Sequence, residues 1–403
     1  MDNLIHKCIG NYLALNYWFQ STCGEHYPRE LAQFIIKLYY HLFKIKIKCG
    51  RNHSVLLFDN QVYVWGGNDH GQLGIEKITN INSPQKLDLP NIKKIECGTY
   101  YTMALTHSNE VYAWGSNTSG QLGLATTPKG DAGRFADPGE KFLSIDLPHK
   151  LDLPSIKKII CGSYHTIALT HSGEIYVWGS NSHGQLGLGH ETNVYTPQKL
   201  DFPNIKKIIC RAAHTMIITH SNEVYVWGSN TGYELGLGHS INMNSPQKLD
   251  LLNVKKIICG HEHTFAITYS DEIYVWGYNN VGELGSEPPT NKDGRFIKSP
   301  QKIDLPNVKK ISCGEYNTMF ITHSNEVYGV GHNNYGELGL GHCGNTSLPE
   351  KLDLSNIKKI ICGSFHTLAL TYSNEVYTWG HNRWGRLGLG HNDDKNTPQK
   401  LKF

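Results

Sequence analysis

The chain has 403 residues, 38 Lys+Arg against 35 Asp+Glu, a formal net charge of +3, 18% charged residues, 41 Gly and 22 Tyr. This balance argues against a strongly basic nucleic-acid binder, and the Gly- and Tyr-rich composition fits strands and turns better than helices or a disordered tail. No run approaches the roughly 20 apolar residues of a membrane helix and no basic-then-apolar signal pattern opens the chain, so it is read as soluble and intracellular, cytoplasmic or nuclear.

Residues 1–43 form a first segment. The stretch PRELAQFIIKLYYHL, Pro28 to Leu42, places Leu31, Phe34, Ile35, Leu38, Tyr39 and Leu42 on one stripe of an amphipathic helix with proline at its start. Such a helix covers an apolar surface, on this chain or on a partner. Its YPREL opening resembles that of an F-box and would imply ubiquitin-ligase adaptor work, although the next segment begins before a full F-box fits.

Residues 44–403 are seven copies of one unit. The clearest copy, from Ser155, reads SIKKIICGSYHTIALTHSGEIYVWGSNSHGQLGLGH, then TPQKLDFPN. Its cysteine recurs as Cys49, Cys97, Cys161, Cys210, Cys259, Cys313 and Cys362, and its aromatic-Gly pair recurs from Trp65-Gly66 to Trp379-Gly380, with Val330 standing for Trp once. The runs IKKIICG, HTIALT, EIYVWG and PQKLDL are β-branched and aromatic, separated by Gly, Ser and Asn, which is the pattern of short strands and tight turns. One such meander cannot bury its faces alone, whereas a ring of them can. The expected fold is all-β, a seven-bladed β-propeller of four-stranded blades. The chain ends on TPQKLKF, Thr397 to Phe403, while the first unit has no PQKL run before it; this C-terminal strand is expected to close the ring by completing blade one.

CGxxHT, WGxN and GQLGLG at about 50 residues per unit resemble the regulator of chromosome condensation repeat family, over residues 44–403. The resemblance implies a seven-bladed propeller. It also implies a protein partner, since the founding family member is a guanine nucleotide exchange factor for the small GTPase Ran and docks on chromatin. Acidic and His residues of the CGxxH turns serve exchange in the family; Glu262, His263, Glu315 and His366 stand at such turns here. The second and third turns carry Thr99-Tyr100 and Ser163-Tyr164 and no acid. Light sensing, known in one branch, needs a Trp cluster in these turns, which hold Tyr, Phe, Ala, Asn or Glu instead.

Meander parity puts the CGxxHT turns, the WGxN and GQLG loops and both insertions on one face, here the top. Long loops on a rigid scaffold are where binding concentrates. The first insertion, Ala125 to Leu147, contains Lys129, Asp131, Arg134 and Phe135; the second, Ser286 to Ser299, contains Lys292, Asp293, Arg295 and Phe296. Arg and aromatic residues are typical interface anchors, but Asp-Gly also makes turns and the Phe side chains could tuck back onto a blade. Unit four departs from the template with Arg211-Ala212, so Arg211 joins the candidate set.

The fifth residue of each turn is His53, Tyr101, His165, His214, His263, Asn317 or His366. Spread around a wide channel, these side chains cannot converge on one ion at about 2.1 Å, so a structural role is expected and no metal site is assigned. The template cysteines are read as buried thiols. The recurring Lys-Lys pairs, Lys93-Lys94 to Lys358-Lys359, are placed on the face opposite the insertions, in a rim whose Asp and Glu cancel most of the field. No GxSxG, P-loop, HExxH or fixed carboxylate pair stands apart from the repeat. No catalytic residue and no cofactor are assigned. The chain is read as a monomer that binds a protein through its top face, with exchange on a Ran-type GTPase as one reading. The alternative is an interaction scaffold, a ubiquitin-ligase adaptor or a chromatin-binding protein without exchange activity.

Overall fold

Each unit folds into a four-stranded antiparallel meander whose strands pair in chain order. The computed structural model describes residues 45–76, 79–89, 91–125, 143–287, 294–305 and 307–402. The expected helix at Pro28–Leu42 lies outside them. The seven sheets span residues 46–87, 92–151, 156–200, 205–249, 254–303, 308–352 and 357–400. In blade three the strands are Ile156–Cys161, His165–Thr170, Ile175–Gly179 and Val194–Leu200. The first strands of neighbouring blades meet, which puts strand one innermost, around the channel.

Adjacent sheets are joined by the same side chains that define the repeat. Six tryptophans, among them Trp65, Trp178 and Trp379, are fully buried between blades. Each indole N–H donates to a main-chain carbonyl of the preceding blade, as Trp178 Nε1 does to Gln121 O at 3.0 Å and Trp227 Nε1 to Gln185 O at 3.0 Å. Burial of one indole is worth on the order of 5 kcal/mol by its apolar area. The glycine after Trp is required: at Gly179, φ is +106° and a Cβ would stand 2.5 Å from Tyr164 O.

Seven blades are present as expected, but the closure differs. Strand Lys395–Lys400 pairs with Val376–Gly380 inside blade seven, and blade one has its own outer strand, Ile81–Leu87. Each PQKL run therefore follows its unit rather than preceding it, and the tail is not shared with blade one. The ring closes by contacts between blades seven and one instead, among them the main-chain bond from Gly390 N–H to Asn82 O at 2.7 Å. Trp65 Nε1 donates to Arg386 O at 2.9 Å, and Ser54 Oγ donates to the same carbonyl at 3.0 Å. The physical reason is that a blade–blade seam of buried indoles and hydroxyl bonds is already continuous at blades one and seven, so no exchanged strand is needed.

The Lys-Lys pairs lie at the end of each blade away from the CGxxH turns, as expected, but not in a link before strand one. They belong to strand one itself, and the second Lys of a pair reaches the next blade, as Lys94 Nζ donates to Ile159 O at 2.9 Å and Lys158 Nζ to Ile208 O at 3.3 Å. Strand alternation sends the first Lys outward, where Lys255 pairs Asp271 at 2.8 Å and Lys206 Nζ donates to Asn222 Oδ1 at 2.7 Å. Outer strands add Lys–Glu pairs such as Lys199–Glu174 and Lys248–Glu223, both at 2.6 Å.

Candidate partner-binding face

The pairings His165↔Gly179 and Thr166↔Cys161 bring the CGxxH turn and the WG corner to the same end of a blade. The insertions share that end. Asn117 N–H donates to Leu143 O and Asn279 N–H to Arg295 O, both at 2.7 Å, so each insertion returns beside the same template asparagine. Lys129, Asp131, Arg134, Phe135, Lys292 and Asp293 lie outside the described residues.

The third turn residues, Arg51, Thr99, Ser163, Ala212, His261, Glu315 and Ser364, ring a cavity of about 100 Å³ at the channel mouth. On one side their backbones link blade to blade: Arg51 N–H to Thr99 O, Thr99 N–H to Ser163 O and Ser163 N–H to Ala212 O, at 3.2, 3.0 and 2.8 Å. Arg211 lies in the wall of this mouth, and its Nη2 reaches from blade four to Cys362 O in blade seven at 3.3 Å. Arg51 and Glu315 form no ion pair within 4 Å among the described residues.

The histidine turns are structural. His53 Nε2 lies 3.0 Å from Thr102 Oγ1, whose proton is spent on Gln72 O at 2.9 Å, so the imidazole must donate. The same link joins His165 to Thr215 at 3.3 Å and His263 to Thr318 at 3.1 Å. Burial drives His53 and His263 down to about 3 and His165 to about 4, which keeps the rings neutral. His263 and His366 are each 1% exposed, which moves both from the expected contact set into the frame. A Cβ on the turn glycine Gly162 would sit 2.1 Å from the His165 ring. In blade four, where Arg211 takes that glycine's place, neither ring nitrogen of His214 finds a partner.

An arc of rings over blades four to seven went unrecognised in the sequence. Tyr233 meets Phe296 at 5.2 Å and Phe296 meets Tyr278 at 5.6 Å. Tyr278 continues to Tyr316 at 6.2 Å, and Phe365 and Tyr335 lie 5.5 Å apart. Tyr335 stacks on His381 at 4.3 Å. Phe296 packs back onto the blade, the first of the two readings of it, and remains half-exposed, while Arg295 beside it is exposed. Glu262 is half-buried next to this arc, 3.8 Å from His261. The available signal was the WGxN position, Ser in blades two to four but Tyr278, His332 and His381 in blades five to seven.

One position of the GQLG loop is buried and polar in every blade: Gln72, Gln121, Gln185, Glu234, Glu283, Glu337 and Arg386. Gln121 Nε2 and Gln185 Nε2 each donate to a serine hydroxyl at 3.1 Å, Ser116 and Ser180. His332 Nδ1 contacts Glu337. Glu283 has no such neighbour, because Tyr278 stands at the serine position, and its Oε1 is unpartnered. Burial pushes this carboxyl up to about 7, with Glu262 adding to the effect.

The described residues hold no helix long and apolar enough to cross a membrane. The RCC1-like domain pattern matches residues 24–306, and the regulator of chromosome condensation (RCC1) repeat pattern matches residues 324–370 and 373–403. The ultraviolet-B receptor UVR8 of Arabidopsis thaliana is 34% identical over 148 residues, 36% of this chain and 31% of that protein. The mouse E3 ubiquitin-protein ligase HERC2 is 31% identical over 154 residues, 36% of this chain and 3% of that protein. The chain thus matches about a third or less of these relatives' length. Among solved structures, Prp20p from Saccharomyces cerevisiae, studied for its binding to Gsp1p and histones, superposes with a TM-score of 0.73 at 22% identity, covering 91% of this chain and 89% of that one.

Proposed function

The chain belongs to the regulator of chromosome condensation (RCC1) repeat family, and from that premise we propose that it is a non-covalent platform that engages a protein partner through its top face. The observation that carries this reading is the contrast between the faces. Charges on the outer strands pair off, as in Lys199–Glu174, whereas the top face presents Arg51, Glu315, exposed Arg295 and a run of half-exposed rings. Rings and arginines on a rigid frame are the usual makers of interface energy. Arg211, Glu262, Glu315, Arg295 and Phe296 are the described contact residues. Lys129, Asp131, Arg134, Phe135, Lys292 and Asp293 complete the proposed set.

The partner this reading names is a small GTPase of the Ran type, in the cytoplasm or nucleus. Exchange needs no acid, base or metal of the propeller's own. A surface that binds the nucleotide-free GTPase more tightly than the loaded form lowers nucleotide affinity by linkage. Prp20p, with its binding to Gsp1p, supports this choice at the level of a shared fold.

A second reading, an interaction scaffold without exchange activity, is favoured by the turns Thr99-Tyr100 and Ser163-Tyr164, which present no acid. Two measurements decide. Capture of partners by the parent but not by an Arg211→Ala, Glu262→Ala, Arg295→Ala, Phe296→Ala variant supports the top face; equal capture sinks it. Release of fluorescent GDP from Ran- and Rab-type GTPases, accelerated at micromolar protein, supports exchange, and no acceleration leaves the scaffold.

A further inference from the structure

Among the seven buried residues of this loop position, Arg386 is in a position that protonation cannot relieve. Buried Glu283 escapes its desolvation cost by holding a proton. The guanidinium of Arg386, 0% exposed, keeps its charge at neutral pH although burial brings it down to about 10. A buried charge is tolerated when it is paired and hydrogen-bonded. Arg386 is half served: Nη1 donates to Arg51 O at 3.2 Å, while Nε and Nη2 have no partner. Those two atoms form one edge of the guanidinium plane, and this edge matches the two oxygens of a carboxylate.

The surroundings fit a site rather than a misfit. Asp394 is the strongest negative influence on Arg386, yet its Oδ1 is engaged by Asn382 N–H at 2.6 Å. Arg51 adds positive potential, and buried His366 and half-buried His381 have their protonation disfavoured by burial first and then by the same guanidinium. Trp384 covers the group, with the Arg386 guanidinium 4.8 Å and the Arg383 guanidinium 5.0 Å from its ring. Trp384 is half-exposed, unlike the six inter-blade tryptophans, so it can leave without opening a seam.

We propose that the Nε–Nη2 edge of Arg386, flanked by Arg383, is a carboxylate-binding site at the seam of blades seven and one, taking an acidic side chain of a protein partner as Trp384 moves off it. The proposal rests on the top-face reading and deepens it. One bidentate fork beside an indole suits a single planar carboxylate. A nucleic acid would engage several phosphates at once, and outer-strand lysines that could serve it, such as Lys199 and Lys248, are held by glutamates.

The test uses the full chain with hexaglutamate peptide and a short DNA duplex as probes, reading tryptophan emission and acrylamide quenching, with Trp384→Phe as the background. Hexaglutamate is expected to increase quenching in the parent and not in Trp384→Phe. Arg386→Gln restores the residue of blades one to three, and it is expected to bind hexaglutamate about tenfold or more weakly. Without peptide, its Tm is expected to equal or exceed the parent's, whereas a purely structural arginine would lower it. Arg386→Lys, which keeps the charge and loses the fork, should also bind more weakly. Unchanged affinity in both variants, a response to DNA but not to hexaglutamate, or no Trp384 response overturns the proposal. If that happens while partner capture still depends on the top-face residues above, the carboxylate site falls and the platform stands.

Discussion

His366 Nε2 in blade seven lies 3.0 Å from Ser54 Oγ in blade one, across 312 residues of chain. It is one of four such histidine–hydroxyl links between blades, with His53–Thr102, His165–Thr215 and His263–Thr318, and it uses the one serine where the other blades have Thr102, Thr166, Thr215, Thr264, Thr318 and Thr367. Ser54→Ala leaves a buried ring nitrogen without its acceptor and is expected to cost about 1–3 kcal/mol in urea unfolding. Ser54→Thr restores the repeat and is expected to be neutral or better. A Ser54→Ala variant as stable as the parent would show that this seam does not depend on the bond.

Removing residues 397–403 takes away most of the outer strand of blade seven and buried Leu401. The expected loss is at least about 2 kcal/mol from apolar burial and edge exposure. Hydrogen exchange locates it: amides of Val376–Gly380 should lose protection while Gln61–Gly66 keeps its own. The reverse pattern would return the tail to blade one.

Acid should weaken the ring through its histidines. Their folded-state values, about 3 for His53, His214 and His263 and about 4 for His165, lie below the ordinary 6.5. The unfolded chain therefore takes up protons that the folded chain refuses, and stability falls as pH drops from about 6.5 towards 3, by on the order of 1.4 kcal/mol per unit for each ring. His214→Asn, which copies Asn317 of blade six, removes one such proton. Its unfolding free energy should slope less steeply between pH 6 and 4, and an unchanged slope would place the titration elsewhere.

Glu283 should act in the opposite window. Its folded value, about 7, lies above the ordinary 4.5, so the folded chain holds a proton that the unfolded chain has lost, and stability falls as pH rises from about 4.5 to 7. Glu283→Gln is expected to be more stable at pH 8, by up to about 3 kcal/mol, with little difference near pH 4.5. Adding Tyr278→Ser supplies the hydroxyl that Gln121 finds in Ser116 and should raise stability further. Thermal melts at the two pH values check both steps.

Periodicity carried most of the fold. Seven cysteines and seven WG-type corners at near-constant spacing made the blade count legible, because each unit must bury its faces against copies of itself. The turn histidines were also read correctly as frame, since equivalent positions around a wide ring do not converge. Their consequence for His263 and His366 was not legible: a family likeness marks a turn, while burial depends on which hydroxyl of the next blade the ring meets. The tail misled because a PQKL run looks the same whether it opens a blade or ends one, and only strand pairing distinguishes the two.

The sequence by itself determined the seven-bladed plan and the single face that gathers turns and insertions, both consequences of local strand patterning and meander parity. Tertiary structure alone decided how blade one meets blade seven, where each second lysine points, and that Tyr278, Tyr316, Phe365, Tyr335 and His381 form one surface. Those residues come from three template positions, the WGxN position of Tyr278 and His381, the turn position of Tyr316 and Phe365, and the loop position of Tyr335, and the repeat does not say that the three converge. Only the closing of the ring brings their rings within reach, and it leaves Glu283 and Arg386 buried behind them without a full set of partners.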